Sequence, residues 1–514
     1  MTTTTSRRRT RSGQADKRAQ RRQHSAPQAP AYITRQIPCY EILSEEGLLR
    51  IEQTADRILA EVGIEFRGDD EAIRLWRAAG AEVDGVRVRF PPGLVREVLK
   101  TAPAAFIQHA RNPARSVKIG GNSVVMSPAY GSPFVMDLDK GRRYGTLDDF
   151  QNFIRLAYQI PWLHHSGGTI CEPVDIPVNK RHLDMVYAHM RYSDKAFMGS
   201  VTAPERAEDS IEMCRILFGP DVVEQQCVIL GNVNVNSPLV WDGVMTQAAR
   251  AYARANQAAV VVPFILGGAM GPVTSAGAIA QALAETMVGC ALTQLERPGA
   301  PVIFGNFLSS MSLRSGAPTF GTPEPALGSL VIGQLARRLN LPLRCSGSFT
   351  TSKLPDGQAM QESTMSMLAA IQCGANFILH SAGFLDGLLS MSYEKFVMDA
   401  DLCGALHTYL AGIAVDDNAL ALDAFHEVGP GNHFFGCAHT MANYETAFWD
   451  SDLSDNDSFE QWTENGSENS MSRANKRWKK LLAEYQAPPM DEAVDEALRE
   501  YIGKKKAAMD DAWY

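Results

Sequence analysis

No stretch of the chain approaches the roughly eighteen consecutive apolar residues of a membrane-spanning helix. No Cys-X-X-Cys pair occurs. The nine cysteines (Cys39, Cys171, Cys214, Cys227, Cys290, Cys345, Cys373, Cys403 and Cys437) are scattered and odd in number. In a chain of 514 residues that distribution points to reduced, mostly buried thiols and a cytoplasmic protein. No Gly-X-Gly-X-X-Gly follows the first apolar run, which argues against a dinucleotide-binding sheet. No apolar core follows the basic N-terminus, which argues against a secretory signal.

Acidic residues outnumber basic ones outside the first thirty residues. The whole chain carries −9, but residues 1–30 hold eight Lys or Arg and only Asp16, a local +7 that leaves −16 for the rest. An acidic body argues against nucleic acid as the main partner. The basic Ser/Thr/Gln-rich arm cannot bury a core, so residues 1–35 are expected to form a disordered tail. Its Arg-rich, acid-poor composition also suits a transit segment, but a solvated tail is the reading adopted. The whole chain is 45% hydrophobic and 21% charged, as in ordinary globular proteins.

Helical periodicity comes first. Leu48, Ile51, Ala55, Ile58, Leu59 and Val62 recur on one face of residues 46–63, with Gly63 as a stop. Residues 69–80 repeat the pattern, and Pro91–Pro92 open a third short helix. A mainly helical region over 36–120 is expected. From about residue 122 short apolar runs alternate with helix-length segments. The runs are Val124–Tyr130, Trp162–Thr169, Ala196–Val201, Cys227–Val235, Ala259–Gly268, Pro301–Phe307, Leu343–Phe349 and Phe377–Gly383. Near-continuous apolar runs suit parallel strands covered on both faces. Eight strand-plus-helix units over 121–415 predict a (β/α)8 TIM barrel, with an open doubly wound sheet as the competitor. Residues 416–514 break the rhythm and are expected to wrap the barrel.

A barrel of this type places its active site at the C-terminal ends of the strands. Those ends carry Tyr130, His164, His165, Asn232, Asn234, Asn306, Phe349 and His380, with Glu324 and Phe384 in the loops beyond. Each alone has a blander reading as a turn or core residue; the set carries the argument. Adjacent His164 and His165 face opposite sides of a strand, so only one enters the barrel. Aromatic faces beside a carboxylate, Glu324 or Asp386, would suit a quaternary ammonium ion. Two other chemistries compete. Lys353 is a candidate for a Schiff base, and His426, His433, Cys437 and His439 for a zinc site, although their spacing matches no standard pattern.

Several segments together resemble one known family. They are GTPEPALGSLVIGQLARRLNLPLRCSG, TSKLPDGQAMQES, GANFILHSAGFLDGLLSMSYEKFVMD and HEVGPGNHFFGCAHT. The tail segments FEQWTENGS, RANKRWKKLLAEY and APPMDEAVDEAL fit as well. Across about residues 35–505 the chain resembles the trimethylamine methyltransferase (MttB-type) family. The resemblance implies a (β/α)8 barrel and a cognate corrinoid protein that docks over its mouth and carries the corrinoid. Family members acting on trimethylamine carry pyrrolysine, whereas this chain contains only the twenty standard residues. It therefore resembles the non-pyrrolysine branch, with the equivalent position expected in the loop 346–356.

A quaternary ammonium needs no acid activation, because it leaves as a neutral tertiary amine. The resemblance thus implies a methyltransferase that moves a methyl group from glycine betaine, or a related betaine, to a Co(I) corrinoid. Tyr130, His164, His165, Asn232, Asn234, Asn306, Glu324, Phe349, His380 and Phe384 are the expected substrate contacts. No catalytic residue is assigned, and no metal or tightly bound cofactor of its own is expected. A homo-oligomer without nucleic-acid or membrane partners is expected. The alternatives are an inactive betaine- or methylamine-binding barrel and a Schiff-base or metal-dependent lyase.

Overall fold

A computed structural model describes residues 30–513. Most of the expected basic tail lies outside the described residues. Its last positions do not: Ile33–Thr34 form a short strand that pairs antiparallel with Ser123 and Val124. The leading region also holds more strand than its helical periodicity suggested. Helices Glu45–Arg57, Asp70–Ala78 and Leu94–Leu99 are interleaved with strands Ile64–Arg67, Glu82–Asp84, Arg87–Arg89, Ala105–Gln108 and Val117–Gly120. The strands are short and half polar, so their period-2 signal is weak beside the helices.

Seven of the eight apolar runs are strands. They are β1 (Ser123–Met126), β2 (Phe197–Met198), β3 (Ile229–Val235), β4 (Ala258–Leu266), β5 (Val302–Gly305), β6 (Leu343–Ser346) and β7 (Phe377–Leu379). They form a parallel sheet in the order β1-β7-β6-β5-β4-β3-β2. Successive side chains sort into two separate cores, as pleating requires. Val125, Met198, Leu230, Val260, Ile303 and Phe377 belong to one apolar cluster. Val124, Phe197, Ile229, Val261, Phe304 and Ile378 belong to the other, which contains the helices. The protein is a mixed α/β fold built on this sheet.

The run Trp162–Thr169 is not a strand. One imidazole takes over a ladder position: His164 Nδ1 accepts from the Met126 amide of β1, while His165 Nδ1 accepts locally from the Gly167 amide two residues on. The segment still bonds both edges of the sheet. His164 N and His165 N donate to Met126 O of β1, Ser166 N donates to Ala196 O, and Met198 N of β2 donates to Gly167 O. Buried Lys195 fastens the approach to it, donating to the carbonyls of Ala157, Ile160 and Leu163 at a helix C-terminus.

A helix of at least twelve residues follows each run: Leu147–Gln159, Arg181–Tyr192, Pro204–Phe218, Gly243–Arg254, Ser275–Glu296, Pro323–Arg338, Gly357–Gln372 and Tyr393–Ala411. Their caps are legible in the sequence. Thr146 and Asp149 form a capping box, and Asp356 caps Gly357–Gln372 by accepting from Ala359 N. Helix Ser275–Glu296 alone among the described helices is long and apolar enough to cross a membrane, and it lies inside the protein. Ser470–Glu484 packs on Tyr393–Ala411 through Trp478, which stacks on Tyr393 and donates to Glu394. Glu492–Ala507 is fixed by Tyr501 donating to Asp209 and by Tyr187 donating to Asp495.

Candidate active site

Rings gather where the chain leaves β4, β5, β6 and β7. Phe264 meets Phe307 at 4.8 Å between centroids, and Phe307 stacks on Phe349 at 5.0 Å. Phe349 touches Phe320 and His380 at 5.0 Å each and Phe384 at 5.8 Å; His380 lies 4.9 Å from Phe384. The result is a continuous aromatic wall drawn from four neighbouring strand ends. Of the expected contacts, Phe349, His380 and Phe384 are in it. Ring faces carry negative electrostatic potential and attract cations.

His380 occupies a left-handed backbone conformation at φ 68°. Its Nδ1 accepts from Tyr130 N at 3.1 Å, which also brings Tyr130 to the wall's edge. Burial, and next the charge of Arg344, hold the imidazole pKa well below its usual value. A neutral ring that accepts at Nδ1 carries its proton at Nε2, so Nε2–H is a donor. Burial raises the Tyr130 phenol to about 12.

Arg344 is a site residue that sequence reasoning missed. Its neighbours Leu343 and Cys345 face the helix layer, so the pleat turns Arg344 to the other face. It is 1% exposed. Nη1 donates to Asn306 O at 2.7 Å and Ser346 Oγ at 3.2 Å, while Nε has no partner. The guanidinium carbon lies 5.3 Å from the Phe307 centroid. Burial lowers its pKa to about 9, which leaves it charged at neutral pH. Among the described residues no carboxylate forms an ion pair with it. The signal was a charged residue inside an otherwise apolar strand, Leu343-Arg344-Cys345.

Other expected contacts are placed differently. Asn232 is buried with Oδ1 unpartnered, and Asn234 beyond it is exposed at the end of β3. His165 is held within hydrogen-bond reach of Gln108 Oε1, edge-on to Phe377. His164 turns to the helix layer, 4.8 Å from the His407 ring. Asn306 turns its amide to Ser329 Oγ and Cys345 Sγ, away from the wall. Glu324 is exposed in the first turn of Pro323–Arg338, and Asp386 pairs with Arg142. Lys353 is exposed and donates to Thr351 O. Cys437 caps Ala438–Asn443 and His439 bonds Asn418 O. Among the described residues no three His, Cys, Asp or Glu side chains gather as metal ligands.

A family model described as trimethylamine methyltransferase (MTTB) matches residues 8–510. The chain belongs to that family. It is 41% identical over 470 residues to the glycine betaine methyltransferase of Desulfitobacterium hafniense (strain Y51), covering 91% of this chain and 98% of that protein. A trimethylamine methyltransferase MttB of Desulfitobacterium hafniense (strain DSM 10664 / DCB-2) is 25% identical, covering 89% and 92%. The proline betaine:corrinoid methyltransferase of Eubacterium limosum is 28% identical, covering 76% and 82%. Family membership and the aromatic wall rest on independent observations.

Proposed function

We propose that this protein takes a methyl group from a betaine, glycine betaine foremost, and passes it to the corrinoid of a cognate corrinoid protein. The aromatic wall carries the reading. A permanent cation has no hydrogen to donate, so ring faces and desolvation are the means by which a protein holds it. Two relatives named for betaines support the same choice. In its reduced state the corrinoid supplies a nucleophile for the methyl carbon, and the carbon–nitrogen electron pair leaves with the neutral tertiary amine. The chain's own part is positional: Phe307, Phe349, Phe384 and His380 hold the ammonium against the wall and keep water from it. Tyr130, Asn232 and Asn234 border the same cavity in this reading.

The wider architecture belongs to the proposal. The sheet closes into a (β/α)8 barrel over residues 121–415, with 36–120 and 416–514 flanking it. Support comes from the segment 164–168, which bonds β1 on one side and β2 on the other. Large aliphatic side chains stand exposed beyond the strand ends: Val273, Leu313, Leu327, Leu354 and Leu389. An apolar rim of that kind fits the docking of a partner that presents a flat macrocycle. Nine unpaired cysteines favour a reducing, cytoplasmic setting. Self-association is assigned to residues 413–448, which leave the sheet's opposite end near Gln36 and expose Phe435 and Phe448.

The test is product formation. Incubation with glycine betaine and a Co(I) corrinoid protein is expected to yield dimethylglycine in proportion to corrinoid. Absence of a demethylated product from glycine betaine, proline betaine and carnitine, with no saturable binding of any of them, overturns the assignment.

A further inference from the structure

We propose that Arg344, assisted by His380, is the receptor for a substrate carboxylate and restricts the site to zwitterions. The inference rests on the reading that the aromatic wall holds a quaternary ammonium, and it adds the group that distinguishes one such ion from another.

A guanidinium withdrawn from water without a counter-ion is strongly disfavoured. One other buried arginine is neutralised by carboxylates. Buried Arg250 is paired with Asp69 at 2.8 Å and Glu296 at 3.2 Å. Arg35 is also buried without a carboxylate, but it lies at the opposite end of the sheet, where it donates to Ala375 O. Arg344 alone of the three sits beneath the rings. Two neutral acceptors, Asn306 O and Ser346 Oγ, engage its Nη1, and Nε is left without a partner. His380 contributes a second donor: its Nδ1 is taken by Tyr130 N, which leaves Nε2–H. Both groups border one ring, with Arg344 at 5.3 Å and His380 at 5.8 Å from Phe307.

A lone cation at the wall would face this positive charge and be repelled. A betaine brings its own carboxylate, which neutralises the guanidinium while the trimethylammonium rests on the rings. The same residue thus attracts the zwitterion and rejects choline, tetramethylammonium and protonated trimethylamine. Specificity of this kind needs a repulsive element as well as an attractive one. Burial, and next the charge of Arg344, keep His380 neutral and able to donate.

Calorimetric titration of the full-length protein tests the idea without any substitution. Glycine betaine, its methyl ester and choline share the trimethylammonium, and only the first has a carboxylate. Glycine betaine is expected to bind about 100-fold or more tightly than the other two. Arg344→Met, checked for folding by circular dichroism, is expected to lose that preference and to bind choline better than the wild type does. Arg344→Lys is expected to restore part of the preference. Equal binding of all three ligands by the wild type overturns the role of Arg344 and leaves the wall reading intact. No binding of any quaternary amine removes both.

Discussion

Replacing Phe349 by leucine removes one ring from the wall while keeping most of the apolar volume. Phe349 is buried and touches Phe307, Phe320, His380 and Phe384 at centroid distances of 5.0, 5.0, 5.0 and 5.8 Å. Ring pairs contribute about 0.5–1.5 kcal/mol beyond burial, so the variant is expected to melt a few degrees lower and still fold. A desolvated cation–π contact is worth about 2 kcal/mol. At about 1.4 kcal/mol per factor of ten, betaine binding weakens roughly thirty-fold. The loss is expected in KM and in the calorimetric Kd, with kcat little changed, because a bound ammonium keeps its charge until late in the transfer. Phe349→Tyr keeps the ring face and is expected to stay near wild type. Dimethylglycine formation at varied betaine concentration, with a melting curve for each variant, reads both effects. Leucine and tyrosine variants that both bind betaine within about threefold of wild type would refute the role of the ring, since the leucine has no quadrupole to offer.

Acid is expected to destabilise the fold. Burial depresses His189 and His407 to about 4 from an ordinary 6.5. Depressed folded-state values stabilise the protein above pH 6.5, and that contribution fades as pH falls towards 4. At the limit it is about 3 kcal/mol for each group. Melting temperatures from pH 7.5 to 4.5 should fall steadily, and a flat profile would contradict neutral burial. Gly305→Ala is expected to give insoluble protein, because its Cβ would stand 2.2 Å from Val261 O in the neighbouring strand. Fractionation of expressed protein checks this. Phe435→Glu with Phe448→Glu is expected to lower the mass measured by light scattering while leaving betaine binding unchanged. Both side chains are more than four-fifths exposed, at 86% and 89%. An unchanged mass would rule out association through this segment.

Part of the aromatic wall was legible because its rings follow strand ends. Phe349 and His380 come just after β6 and β7, where a parallel strand delivers side chains to a common face. Phe384 follows a few residues later. His164 and Asn306 also lie in apolar runs, but each points to the helix layer. Run length does not say which face of the pleat a given residue takes. Arg344 was hidden for a related reason. It lies within a strand, and an arginine there reads as a break in apolar character until the pleat shows which way it turns. The second run misled more simply. The His164 side chain took the place of a main-chain acceptor beside β1, and the stretch is buried, irregular chain.

From its sequence alone, the chain specifies the alternation of strand and helix, most helix limits, the positions of caps and the stretches that bear rings. These follow from local spacing, because periodicity and capping need only neighbours a few residues away. Tertiary structure decided which rings meet, that a charged arginine lies beside them without a carboxylate, and that the His164 imidazole takes a ladder position. Each depends on groups tens to hundreds of residues apart, and their distances exist only after β1 through β7 have paired.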